Sequence, residues 1–148
     1  MEILFKILCG ILYCVGLCFN LTYQEISVYI CIYGYPLFFI GVAIFINIYI
    51  LYKTLKNYNK VNLLLLILSY LQIIIYIILF IGIYNYYKNL SILEQFNLCM
   101  RDLQKIAKLN NITYEECNLI IYVGGAFIIL IINSCMFYIT KYINKYVK

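Results

Sequence analysis

The stretch Val61–Tyr86 reads VNLLLLILSYLQIIIYIILFIGIYNY and carries no charged side chain. It exceeds the ~20 residues a helix needs to cross a ~30 Å hydrocarbon core. Lipid satisfies no free backbone N–H or C=O, so a segment of this kind crosses as a helix.

Three more apolar stretches surround it, at about 3–21, 25–52 and 116–140. The sequence therefore predicts an all-α polytopic membrane protein, with residues 1–148 forming one four-transmembrane-helix bundle. An outer loop at 87–115 separates helices 3 and 4. The composition agrees: 66% of residues are hydrophobic and 11% charged, against about 25% charged in soluble domains. Four spans leave no room for a soluble catalytic domain. The net charge of +5 is divided among separate groups, which read as topology signals and headgroup contacts, with no nucleic-acid partner expected. Ile, Tyr, Asn and Lys are abundant in the way AT-rich coding DNA would supply, so Ile or Tyr enrichment alone carries no argument.

The basic residues set the orientation. Lys53, Lys56 and Lys60 lie between spans two and three, and Lys141, Lys145 and Lys148 close the chain. With Lys6 they face one side against a single acid, Glu2. The other side has Lys88, Arg101, Lys105 and Lys108 against Glu25, Glu94, Asp102, Glu115 and Glu116. Both termini are expected on the cytoplasmic side. The plasma membrane or an endomembrane is favoured, with the mitochondrial inner membrane as the alternative. A rival reading makes Ile7–Phe19 a signal h-region with a small-x-small cleavage site at Gly16-Leu17-Cys18.

Three capping boxes fall on the outer side, at Thr22–Glu25, Ser91–Glu94 and Thr113–Glu116. In each, a hydroxyl accepts from the third N–H and the acid reaches back to the cap. After Ser91, the residues Ile92, Phe96, Cys99, Met100, Leu103, Ile106 and Ala107 recur at helical spacing. They predict an amphipathic helix in the outer loop.

Cys99 and Cys117 flank that loop and form a disulfide candidate, with Cys18 and Cys31 as a second pair. Cys9 and Cys135 read as buried small apolar residues. Asn20, Asn89 and Asn111 begin N-x-S/T sequons on the outer side and are glycosylation candidates. Gly10 and Cys14, with Cys18, make a small-residue seam. Gly34, Pro36 and Gly41 in span two, and Gly124 and Gly125 in span four, are further candidates for close helix packing or a partner interface. Pro36 is expected to kink its helix. Asn47, Ser69, Gln72, Asn133 and Ser134 fall at similar depth and suggest a polar layer. No acid sits in the apolar stretches, which argues against a pump or coupled carrier.

No nucleophile with its base, carboxylate pair, phosphate loop or metal spacing is present, so no enzymatic activity, cofactor or metal is expected. The expected function is an accessory or regulatory subunit that binds a larger integral membrane protein, such as an ion pump, transporter or multisubunit complex. Two alternatives stand beside it. With Cys99 and Cys117 in the second outer loop, the layout is similar to the bacterial disulfide-bond-formation membrane oxidases, which would imply thiol oxidation. Cys31-Ile32-Tyr33-Gly34, however, lacks the second cysteine of the expected C-x-x-C. A tetraspanin-like organiser is similar in topology only, because the Cys-Cys-Gly signature is absent.

Overall fold

The computed structural model describes residues 1–146, so the expected cytoplasmic charge of Lys148 lies outside them. Five helices are described. Helix α1 is Glu2–Cys18, α2 is Tyr23–Lys56, α3 is Lys60–Tyr87, α4 is Ile92–Leu109 and α5 is Tyr114–Lys145. Three of them, α2, α3 and α5, are long and apolar enough to cross a membrane, which marks the chain as membrane-embedded.

The expected first span is not among these three. Helix α1 has 17 residues, about 25 Å at 1.5 Å per residue, short of a full hydrocarbon core. Its contacts give a second reason. The Phe5 ring meets Tyr114 edge-on at 5.8 Å, and the Cys9 thiol accepts from the Tyr23 hydroxyl at 3.4 Å. A Cβ on Gly16 would lie 3.0 Å from the Leu21 carbonyl and 3.2 Å from Ile26. These partners sit in the first turns of α2 and α5 or just before them. Helix α1 thus runs from the start of α5 to the start of α2, across the ends of these helices.

The chain forms two compact units: Met1–Tyr35 with Ile83–Phe127, and Pro36–Gly82 with Ile128–Lys148. The first is built from two matching halves, α1 with the start of α2 and α4 with the start of α5. Residue n of one corresponds to residue n + 91 of the other: Phe5 with Phe96, Leu12 with Leu103, Asn20 with Asn111, Thr22 with Thr113, Tyr23 with Tyr114, Glu25 with Glu116. The turns agree atom for atom. Asn20 and Asn111 take positive φ, at 54° and 53°, while Leu21 and Ile112 donate back to the Gly16 and Ala107 carbonyls. This is the Schellman ending, in which asparagine is one of the few residues besides glycine that accept the left-handed conformation. Two residues later Thr22 and Thr113 open complete capping boxes, and Ser91 opens a third before α4.

Both halves then widen into a π-turn, Val28–Gly34 and Leu119–Gly124. Each turn ends on glycine, and in both the atom nearest an added Cβ is the carbonyl five residues back. That atom is Tyr29 O at 3.0 Å from Gly34 and Leu119 O at 3.9 Å from Gly124. The glycines leave room for the i→i+5 geometry.

In the second unit Phe39, Ala43, Ile46, Asn47 and Ile50 form the buried stripe of α2. Ile46 and Ile50 cluster with Leu65, Leu66 and Met136. The polar layer is made of specific pairs here. Asn47 donates to Ser69 at 2.6 Å, and Gln72 donates to Tyr76 at 2.8 Å and to Asn133 at 3.4 Å. Asn133 also donates to the Ile129 carbonyl. These bonds join α2, α3 and α5. Among the described residues no buried side-chain nitrogen or oxygen lacks a partner. Ser134 is exposed and stands apart from the layer. Cys135 is exposed as well, contrary to its expected burial, because it lies on the face of α5 away from buried Asn133 and Met136.

Candidate ligand cavity

The matching halves of the first unit enclose a cavity of about 280 Å³. Its walls come in related pairs: Phe5 and Phe96, Leu12 and Leu103, Cys9 and Met100, Tyr23 and Tyr114, Ser27 and Asn118. The two π-turns complete it with Val28, Cys31 and Ile32 on one side and Leu119, Tyr122 and Val123 on the other. Single π-turns inside α-helices occur frequently at functional sites.

The same helical stripe of each surface helix turns inward. On α1 it is Phe5, Leu8, Cys9, Leu12 and Gly16; on α4 it is Phe96, Cys99, Met100, Leu103 and Ala107. The ring pair Phe5–Tyr114 at 5.8 Å and 86° is mirrored by Phe96–Tyr23 at 6.0 Å and 79°. Tyr23 donates to Cys9 Sγ at 3.4 Å, and Tyr114 to Met100 Sδ at 2.6 Å. A third phenol, Tyr122, has its Oη 3.7 Å from Cys99 Sγ. Tyr35 packs edge-on against Tyr122 at 5.4 Å and donates to the Ile121 carbonyl at 3.1 Å. That bond gives a partner to a carbonyl of the widened turn. No acidic or basic side chain lines the cavity. Its polar surface is phenol, thiol, thioether, one hydroxyl and one amide.

At the junction between α3 and α4, buried Gln95 donates to the Tyr87 and Leu90 carbonyls at 3.2 and 2.9 Å and accepts from Tyr33 at 3.0 Å. The Ser91 hydroxyl and backbone N–H both bind the exposed Glu94 carboxylate and hold it below the usual carboxylate range.

The residues singled out from the sequence are distributed as follows. Cys99 and Cys117 belong to one hydrophobic cluster with Leu103 and Ala107, and both are free thiols. Burial pushes the Cys99 thiol up, which holds it in the less nucleophilic protonated form. Cys31 is half-buried on the cavity wall and Cys18 is exposed, both also free. Asn20, Asn89 and Asn111 are exposed. Gly34 and Gly124 serve the π-turns, and a Cβ on Gly125 would stand 3.0 Å from Tyr35 Oη. Pro36 lies within an unbroken α2, two residues after its π-turn. Gly10, Cys14 and Gly41 are exposed, and an added Cβ on either glycine would meet nothing within 4 Å.

The cavity residues Phe5, Tyr23, Phe96, Met100, Tyr114 and Tyr122 are those that sequence reasoning missed. The signal was present as Asn-Leu-Thr-Tyr-Gln-Glu at 20–25 and Asn-Ile-Thr-Tyr-Glu-Glu at 111–116, a repeat that identifies both halves. Comparison with family models, curated proteins and solved structures finds no match for this chain.

Proposed function

We propose that the chain is a non-enzymatic accessory or regulatory subunit that binds a larger integral membrane protein. The observation that carries this reading is the face of α2 opposite its core. There Gly41 stands open between exposed Phe38 and Phe45, one turn from each. In lipid, apolar surfaces have no hydrophobic reason to associate, and close backbone approach at small residues supplies packing energy instead. Gly41 offers that approach to a helix from outside the chain. The middles of the spans, 36–52, 61–86 and 117–140, carry no acidic or basic side chain, which supports the reading over coupled transport.

In this proposal the chain crosses the bilayer three times, through α2, α3 and α5. The end bearing Lys53, Lys56, Lys60, Lys141 and Lys145 faces the cytoplasm of a plasma membrane or endomembrane. Helices α1 and α4 lie on the outer side, which moves the N-terminus there. All six acids, Glu2, Glu25, Glu94, Asp102, Glu115 and Glu116, then lie outside, and so do the three sequons. Thiol oxidation draws less support, because the Cys99 thiol is raised and the Cys31 motif is incomplete.

Purification in a gentle detergent tests the subunit reading. A stoichiometric membrane partner should co-purify, and Gly41→Leu should release it while the lipid-facing Ile78→Ala does not. A chain that runs alone, or a partner indifferent to Gly41→Leu, would sink the proposal.

A further inference from the structure

We propose that the cavity between α1 and α4 binds a neutral, lipophilic small molecule through a carbonyl oxygen. Its size comes first: about 280 Å³ is roughly twice the ~150 Å³ cavity that takes up benzene or xenon. Its chemistry comes second. With no charged side chain in its wall, the cavity has nothing to neutralise an ionic ligand, and desolvating a charge there is costly.

The third argument concerns the phenols. Tyr23 and Tyr114 bring two donating hydroxyls to this space, and the acceptors opposite them are Cys9 Sγ and Met100 Sδ. Thiol and thioether sulfur accept weakly. A carbonyl oxygen is the stronger acceptor, so a ligand carrying one replaces a poor hydrogen bond with a good one and loses little. Tyr23 and Tyr114 are counterparts in the two halves, so the wall offers equivalent donors from both directions. Ile11 and Ile30 line the cavity and are also exposed, which gives an apolar ligand an apolar way in. This inference is independent of the subunit reading, because a ligand site and a partner face occupy different parts of the chain.

The seven cysteines supply the test. Cys9, Cys31 and Cys99 line the cavity, whereas Cys14, Cys18 and Cys135 are exposed elsewhere. The full chain in lipid nanodiscs would be alkylated with N-ethylmaleimide, with 2-undecanone or undecane present, and each thiol's rate read by peptide mass spectrometry. The ketone should slow the three cavity thiols about five-fold beyond the alkane, the scale of one net hydrogen bond, and leave the three exposed thiols unchanged. In Tyr23→Phe/Tyr114→Phe, which keeps both rings, the ketone should fall to the alkane's level. Equal slowing at all six thiols, no slowing, or equal protection by ketone and alkane would overturn the proposal. If the double variant fails to fold, the ketone–alkane difference in the native chain decides alone.

Discussion

Helices α1 and α4 share their inner faces and differ on their outer ones. Inside, Phe5, Leu12 and Gly16 correspond to Phe96, Leu103 and Ala107, and the ring pairs match to within 0.2 Å (5.8 and 6.0 Å). Outside, Ile3, Gly10 and Leu17 on α1 correspond to Glu94, Arg101 and Lys108 on α4. Packing geometry fixes one face of a helix, while the other follows whatever medium it meets. The charged face of α4 suits water, and the apolar face of α1 suits lipid or protein.

The largest test of this comparison is all-or-none. An epitope tag placed before Met1 should be reached by antibody from the outer side of intact cells or vesicles, and one after Lys148 only after permeabilisation. Two tags on the same side would make α1 a span and end its equivalence with α4. Next come the ring pairs. Phe5→Ala and Phe96→Ala should each destabilise by about 2 kcal/mol, below the 3–5 of fully buried aromatics because both rings are half-buried. Denaturation in mixed micelles would measure this, and a large cost at one site with none at the other would break the correspondence.

The turns should respond alike at a smaller scale. Thr22→Ala and Thr113→Ala should each cost about 1 kcal/mol through the lost cap. Asn20→Gly and Asn111→Gly should be neutral or mildly stabilising, whereas alanine at either position should cost about 1 kcal/mol for its left-handed backbone. The smallest effect separates the halves. The native carboxylate of Glu94 titrates below its unfolded value, so its contribution is present above the ordinary carboxylate range. It fades as pH falls through the lowered native value. Its counterpart on α1 is Ile3. Hydrogen exchange should therefore show acid fraying at the start of α4 and none of that origin in α1.

Much of this was legible in the sequence. The three long apolar helices, a helix following Ser91, all three capping boxes and a polar layer containing Asn47, Ser69, Gln72 and Asn133 follow from periodicity, cap chemistry and depth, whereas the pairing within that layer does not. The expected first span is a helix of 17 residues and is not among the three long enough to cross; apolar composition reports which medium a helix avoids and says nothing of the angle at which it lies. The Asn-x-Thr triplets at 20 and 111 read as sequons, yet each is first a piece of backbone grammar: a left-handed asparagine ending one helix and a threonine starting the next. Seen that way, they mark the repeat. The π-turns left no comparable trace, since glycine at 34 and 124 fits ordinary helix packing equally well. Of the cavity, the thiols were noticed, but the phenols that face them became visible only when the two halves came together.

Helix α3 has no counterpart in either half, and the reason lies in the direction of travel. In the three-span proposal α2 carries the chain across the bilayer once, so a second helix pair joined directly behind it would begin on the opposite side and run inverted. A further crossing by Lys60–Tyr87 lets the second pair begin on the same side as the first. Any repeat of a helix pair that crosses once needs such a return segment between its two copies. That fits a helix rich in leucine and isoleucine, in which Ser69 and Gln72 serve the polar layer.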